Sequence, residues 1–363
     1  MRFMKFLSLC TVFIGTVIGA GFASGSEIWT FFGKYGFMGF FGVLLCSLII
    51  SICGGGILAG VYDGDFTSFA EFCKLLGGKK TGKFFSFLGV AFMYSALCIM
   101  ISGSGALFSQ EFGKSYLFGC LFMTVICFFV FITGVKGLAA INLFLTPFMI
   151  VGITLLGIFT ILTHSTNVSG IYSDLLTVSE SWVSVLIYVS YNILTVPAVI
   201  IPMKDYIFSR KCAVFAGISG GIVLGLCGLL MYFSVSCCRF STQLPALSLA
   251  MSFSSGFGIF YGITLYFSML TTALGNGCAV MEILKKKLPQ APAILLSFVI
   301  CSSAVIPAMW GFANLVSSLY TIIGYGAVLL TFLLIYYSLK KLKSSATQHQ
   351  KPLLSQQTTT KQQ

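Results

Sequence analysis

The 363-residue chain is 57% hydrophobic and 8% charged, with mean hydropathy +1.00 and a formal net charge of +12. Soluble domains carry about 25% charged residues, so the composition excludes a water-soluble globular protein and predicts an all-α polytopic membrane protein. The basic excess does not indicate a nucleic-acid partner, because Lys and Arg are scattered over short loops without exposed aromatics between them; orientation in a lipid bilayer accounts for them. The thirteen cysteines lie mostly in apolar segments without CxxC spacing and read as small buried hydrophobes.

The first apolar segment runs from about Phe6 to Phe32 and is too long for a cleaved leader peptide. It holds Gly15, Gly19, Gly21, Gly25 and then Glu27. Each Gly weakens a helix interior by roughly 1 kcal/mol relative to Ala. The stretch therefore reads as a broken helix, one half ending near Gly19 and another restarting near Ser24. The alternative is a close helix–helix contact through small residues. Irregular backbone at membrane depth persists only where protein or a wet cavity satisfies it, and paired breaks point to a transporter binding site. Half-helix amino ends expose N–H groups suited to an anion, and half-helix carboxyl ends expose carbonyls suited to a small cation. The amides around Ala20, Gly21 and Phe22 are the candidate solute contacts, and the carbonyls of Gly15 and Ile18 end the first half. Ser24 and Glu27 have capping-box spacing, with the Ser hydroxyl on the Glu amide and the Glu side chain returning to the Ser amide. The other reading of Glu27 is a gate or proton relay, since an ionisable group inside a span marks a path.

Nine further apolar stretches follow at about 36–61, 84–109, 115–135, 138–162, 182–203, 212–235, 256–284, 290–310 and 313–338, making ten spans. With the N-terminus inside, 18 of the 21 Lys and Arg residues fall on the cytoplasmic side, and Lys34, Lys114 and Arg239 fall outside. The positive-inside rule thus supports ten spans in the cell's plasma (inner) membrane with both termini cytoplasmic. Two loops are long: residues 62–83 join spans two and three inside, and 236–255 join spans seven and eight outside. A split at the polar linker 163–181 gives repeats of inverted topology, about 6–162 and 182–338, within one transmembrane domain, 1–343. The inner loop carries Phe66, Phe69, Ala70, Phe72, Cys73 and Leu76 at helical spacing, consistent with a short interfacial helix. Residues 344–363 are polar and low in complexity and are expected to be disordered.

If the halves are equivalent, span six breaks as span one does. It reads Tyr188-Val-Ser190-Tyr191-Asn192-Ile-Leu-Thr195-Val-Pro197, and Pro197 frees a carbonyl one turn back. Tyr191, Asn192 and Thr195 are candidate solute contacts; an ordinary proline kink is the alternative. Tyr94 of span three is a candidate aromatic cover for the site, or a packing residue. In span eight, Ser268, Thr271 and Thr272 share a helix face. They present a carbonyl and two hydroxyls, an uncharged set that suits a monovalent cation if span-one carbonyls complete it; Ser and Thr equally bond back to their own helix. There is no HExxH, Cys/His ligand spacing or P-loop pattern, so uphill transport would draw on an ion gradient.

Thr16-Val17-Ile18 followed by Gly19-Ala20-Gly21 resembles the unwound first helix of the amino acid–polyamine–organocation superfamily. The stretch from Gly15 to Glu27 is similar to that of the bacterial YkvI-type membrane proteins in this group. The resemblance implies a leucine-transporter-type fold, a 5+5 inverted repeat of ten transmembrane helices with helices 1 and 6 broken. In sodium-coupled members the cation meets first-helix carbonyls and a small-x-x-Ser/Thr-Ser/Thr pattern of the eighth helix. The resemblance therefore implies a sodium site at Gly15, Ile18, Ser268, Thr271 and Thr272. Proton-coupled relatives can carry a Lys in the fifth span, where the distinctive residues here are Asn142, Thr146 and Pro147.

The expectation is an ion-coupled secondary transporter, not an enzyme. It would move a small solute, an amino acid or similar zwitterion, by alternating access at Gly19, Ala20, Gly21, Phe22, Tyr94, Tyr191, Asn192 and Thr195. A transporter-like sensor or accessory protein is the alternative. A membrane enzyme using Glu27 as its acid would lack a second carboxylate, a His or a metal set within the spans.

Overall fold

The computed structural model describes the backbone of residues 2–133, 138–164, 178–237 and 242–359, and the side chains of 3–132, 145–163, 180–237 and 242–343. Cys238, the side chain of Asn142 and most of the 163–181 linker lie outside the described residues. Among the described residues every regular element is a helix. Seven helices are long and apolar enough to cross a bilayer, and three shorter apolar helices, Phe3–Val17, Tyr116–Ile132 and Ala293–Ala308, bring the segments to ten.

Span one is made of three pieces, Arg2–Val17, Ala20–Ala23 and Ser26–Phe31. Spans two to five are Phe37–Asp63, the membrane part of Phe69–Phe112, Tyr116–Thr133 and Leu138–His164. Spans six to nine are Val178–Ile200, Arg210–Cys237, Ser255–Lys287 and Ala293–Ala308. Span ten starts at Phe312–Leu315, loosens into a π turn at Val316–Tyr320 and continues as Thr321–Thr359. Its side chains beyond Lys343, where the polar tail begins, lie outside the described residues.

The two long loops each fold into a short helix, at opposite ends of the bundle. Between spans two and three, the helix from Phe69 ends where Gly78 takes a left-handed φ of 72°. One face turns inward: Phe72 and Cys73, and Phe66 just before the helix, are buried in the bundle core, so this helix packs on protein. Between spans seven and eight the counterpart is Pro245–Phe253. This matched pair fits two five-span halves of inverted topology.

Spans two and seven make the most extensive helix–helix contact. A lipid bilayer gives no hydrophobic drive for helix association, so close approach of small residues supplies van der Waals contact instead. Gly217 of span seven lies on the backbone of Gly54 and Gly55, and Gly221 and Gly225 face Ser51 and Ser47 one and two turns on. Ser47 Oγ donates to Gly221 O at 3.0 Å. A Cβ on Gly217 would fall on the Gly54–Gly55 peptide, 2.7 Å from Gly54 O. Gly217→Ala is therefore expected to lower stability by about 1–3 kcal/mol, read as a drop in the thermal midpoint of the detergent-purified protein; an unchanged midpoint would mean the seam is loose.

At the end of the bundle that carries the N-terminus, charges are paired. Asp63 at the end of span two meets Arg210 at 3.2 Å and Lys341 at 2.8 Å, and Lys341 also meets Asp65 at 2.7 Å. Tyr337 donates to Asp65, and Lys5 donates to Asp205 O at 3.1 Å. These contacts tie spans one, two, six, seven and ten together at that end.

Candidate functional site

The first span breaks where its glycines predict. The Ile18 amide still bonds Ile14 O at 2.8 Å, but the Gly19 amide turns to Val17 O at 2.8 Å instead of to Gly15 O. The ladder resumes with Ala23 N on Gly19 O at 3.0 Å and Ser24 N on Ala20 O at 2.8 Å. Gly15 O is thereby released from its helical partner, and among the described hydrogen bonds the amides of Ala20, Gly21 and Phe22 meet no backbone acceptor.

A second interruption follows at Ser24–Gly25, where Gly25 takes a left-handed φ of 81° that a residue with a Cβ rarely adopts. Neighbouring protein satisfies the opened backbone, as membrane depth requires. Tyr261 of span eight donates to Ala23 O at 2.5 Å, Ala246 N to Ser24 O at 2.9 Å, and Ser26 Oγ to Gln243 O at 2.6 Å.

The sixth span differs from expectation in where it becomes irregular. It is α-helical through Asn192, Thr195 and Pro197 to Ile200, and then tightens into a 3-10 turn at Ile201–Tyr206. The side chains of Asn192 and Thr195 fold back on their own helix, Asn192 Nδ2 to Tyr188 O at 2.9 Å and Thr195 Oγ1 to Asn192 O at 3.1 Å. Neither bond reaches Ile193 O, the carbonyl that Pro197 leaves without an amide, but Pro197's fixed φ is itself helical and the helix runs past it; the discontinuity is a change of helix type further on.

A cavity of about 320 Å³ lies against the break in span one. That is the lower end of the range for small-molecule sites. Span one contributes Gly15, Thr16, Gly19 and Glu27; span six contributes Tyr191, Asn192 and Thr195; span eight contributes Thr271, Thr272 and Asn276. The cavity continues past Val12, Pro202, Met203 and Ala279 toward the end that carries the N-terminus.

On the other side it is closed by rings. Tyr191 and Tyr320 stack with centroids 4.7 Å apart, Phe92 lies 5.4 Å from Tyr320 and 5.9 Å from Tyr191, and Phe31 lies 5.5 Å from Tyr191. Beyond Phe31 a second recess of about 490 Å³, lined by Lys34, Glu180, Ser184 and Thr321, faces the opposite end. One layer of aromatic side chains thus separates two recesses.

Glu27 is 4% exposed and does not cap its helix. The capping-box expectation fails because Ser24 Oγ donates to Gly21 O at 2.8 Å, while Gly25 stands at the cap position. The Glu27 carboxyl instead crosses to the other repeat, where Tyr191 Oη donates to Oε2 at 3.1 Å. Its path runs over Gly21: a Cβ there would fall on Glu27 Oε1, with Cδ 2.6 Å and Cγ 2.8 Å away. Gly21 is needed for close approach.

Of the candidate solute residues, Gly19, Tyr191, Asn192 and Thr195 meet at this cavity together with Glu27. Ala20, Gly21 and Phe22 are buried behind its wall, and Phe22 points instead to a small gap near Val43 and Gly228. Tyr94 is turned away and donates to Ser303 of span nine at 2.8 Å; the third span gives the cavity Phe92, Met93 and Ala96. Of the candidate cation set, Gly15, Thr271 and Thr272 line the cavity, while Ile18 and Ser268 are buried beside it and Ser268 O accepts Thr271 Oγ1 at 3.1 Å. Thr146 of span five lies against Gly15, with its hydroxyl 2.5 Å from where a Gly15 Cβ would stand.

No family model matches the chain. It is similar to the uncharacterized membrane protein YkvI of Bacillus subtilis, 27% identical over 327 residues, which cover 87% of this chain and 91% of YkvI. It is also similar to the uncharacterized protein YyaD of the same organism, 23% identical over 343 residues, with 91% and 96% coverage. Among solved structures, MhsT in complex with L-phenylalanine aligns with TM-score 0.63 at 18% identity, covering 89% of this chain and 87% of MhsT. The Eremococcus coleocola manganese transporter aligns with TM-score 0.61 at 10% identity, covering 88% and 76%. Mhp1, a nucleobase-cation-symport-1 family transporter, aligns with TM-score 0.57 at 10% identity, covering 88% and 74%. At these identities the structural likeness speaks to fold alone. The chain is similar to YkvI over 87% of its length, and its fold is of the leucine-transporter type.

Proposed function

We propose that the chain is an ion-coupled secondary transporter of a small solute, working by alternating access in the plasma membrane with both termini cytoplasmic. The observation that carries this reading is the pair of recesses, facing opposite ends of the bundle and separated by the layer of Phe31, Tyr191, Tyr320 and Phe92 at the break of span one. Solute would bind at Gly19, Glu27, Tyr191, Asn192 and Thr195, and the Glu27–Tyr191 hydrogen bond between repeats would act as part of the gate.

Sodium is the proposed coupling ion, held by Gly15, Ile18, Ser268, Thr271 and Thr272. Release of the Gly15 carbonyl by Gly19, and the opening of Gly15, Thr271 and Thr272 onto one cavity, support it. So does the hydroxyl of Thr146, where an amine would argue for a proton. The solved relatives include a complex with L-phenylalanine and a manganese transporter, so the fold leaves the cargo to be read from the cavity. The expectation of an amino acid or other zwitterion rested on free amides at Ala20, Gly21 and Phe22 facing a carboxylate, and those residues do not line the cavity.

Proteoliposomes containing the purified protein are expected to accumulate solute from a pool of radiolabelled amino acids and amines when a sodium gradient is imposed, and to lose that uptake when the gradient is collapsed. Binding without flux across the whole pool would favour the sensor reading.

A further inference from the structure

We infer that the cavity recognises a small monocationic primary amine, with its ammonium on Glu27 and no carboxylate required. The inference rests on the transporter reading for its cavity but names a ligand class that reading leaves open. Three observations converge on it.

The first is charge. Among the residues lining the cavity, Glu27 is the single acidic or basic side chain; no Lys, Arg or His joins it. The carboxyl has one described hydrogen-bond partner, the Tyr191 hydroxyl on Oε2, which leaves acceptor capacity on a buried acid. An ammonium that donates to it makes a charge-assisted hydrogen bond inside a low-dielectric wall.

The second is the fate of the helix break. The amino end of the Ala20–Ala23 turn is where a solute carboxylate would find free amides. The chain lays its own carboxyl over Gly21 instead, close enough that no Cβ fits between them. A carboxylate entering the cavity would meet another carboxyl at the place where the amides would otherwise receive it.

The third is the surrounding surface. Tyr191, Tyr320 and Phe92 wall the Glu27 end, and Met93, Ala96 and Val199 line further parts of the cavity. Aromatic rings near an organic cation add cation–π attraction, and apolar walls suit a short hydrocarbon body. Near Glu27 on span six, Thr195 spends its hydroxyl proton and Asn192 one of its two amide N–H groups on their own helix, so Thr195 Oγ1 and Asn192 Oδ1 offer acceptors to a donor-rich ligand.

The test uses matched probes that differ only at the charged head, with the full-length protein purified in detergent. Phenethylamine, phenylalanine and 3-phenylpropionate share a phenyl body; isoamylamine, leucine and 4-methylvalerate share a branched one. Thermal shift in sodium buffer is expected to rise with the two amines and to stay flat with both acids, with the amino acids weaker than the amines. Glu27→Gln keeps shape and removes charge, and should weaken amine binding roughly 10–100-fold, the range of a hydrogen bond to a charged partner. If that variant does not fold, the wild-type comparison decides alone. Phenylalanine or leucine binding as tightly as its decarboxylated partner, amine binding unchanged in a folded Glu27→Gln variant, or no response to either amine would overturn the assignment. Proteoliposome flux separates the two readings. Amine binding without flux removes the transporter but keeps the site, and sodium-driven uptake of leucine with no uptake of isoamylamine removes the amine and keeps the transporter.

Discussion

Replacing Thr271 and Thr272 together with Ala is expected to abolish sodium-dependent stabilisation while the protein still folds. Both residues line the cavity together with Gly15, and Thr271 Oγ1 donates to Ser268 O at 3.1 Å, which leaves its lone pairs able to accept a cation. A ligand present at a hundred times its dissociation constant stabilises by about 2.7 kcal/mol, so sodium should raise the wild-type thermal midpoint and potassium should not. In the double variant the two curves should coincide. The change removes two methyls and two hydroxyls from a cavity wall, so the midpoint without sodium should move little. A sodium response that survives both substitutions would eliminate the proposed set of Gly15, Ile18, Ser268, Thr271 and Thr272.

The second large effect is expected at Gly21. A methyl there overlaps the Glu27 carboxyl, so Gly21→Ala must drive that side chain off its seat and away from Tyr191. Overpacking of a dense interior costs about 1–3 kcal/mol, and a buried carboxyl that loses its hydrogen bond adds a comparable penalty. Uptake should fall sharply even where folded protein is recovered. The double variant Gly21→Ala with Glu27→Ala removes both parties to the clash, and its stability should exceed that of Gly21→Ala alone. Residues in contact couple in this non-additive way; simple addition of the two losses would show that the overlap relaxes by some other route.

Much of the scaffold was legible in the chain. Ten apolar stretches and two long loops on opposite sides define the repeat, and the cluster Gly15, Gly19, Gly21 and Gly25 marks the break because a plain membrane helix has no reason to carry it. What could not be read was rotation about helix axes. Tyr94 and Phe92 sit two residues apart, about 200° around a helix, and in an almost uniformly apolar span nothing marks which one faces inward. Tyr320 gave no sign either, since its direction follows from the π turn at Val316–Tyr320, a packing outcome.

The same spelling also took two meanings. Ser24-x-x-Glu27 and Ser68-x-x-Glu71 both fit a capping box. The second caps: Glu71 N donates to Ser68 Oγ at 3.2 Å, and Glu71 Oε2 accepts from Thr67 N at 2.8 Å. The first does not, because its Glu has a partner 164 positions away in Tyr191 that no local rule could supply. Pro197 misled in the opposite sense, since its fixed φ is compatible with a helix and the α-helix continues past it to Ile200.

The segment from Gln243 to Phe253 holds the Ser24 carbonyl and the Ser26 hydroxyl, and through Gln243 Oε1 it also takes the Phe312 amide at 2.8 Å, at the start of span ten. Its grip lies a few residues from Gly21 and Glu27, yet it sits at the end of the bundle away from the N-terminus. An antibody fragment or cross-link fastened to the exposed Thr242 or Ser252 would therefore act as a remote handle, holding the site's acid in one posture without ever entering the cavity.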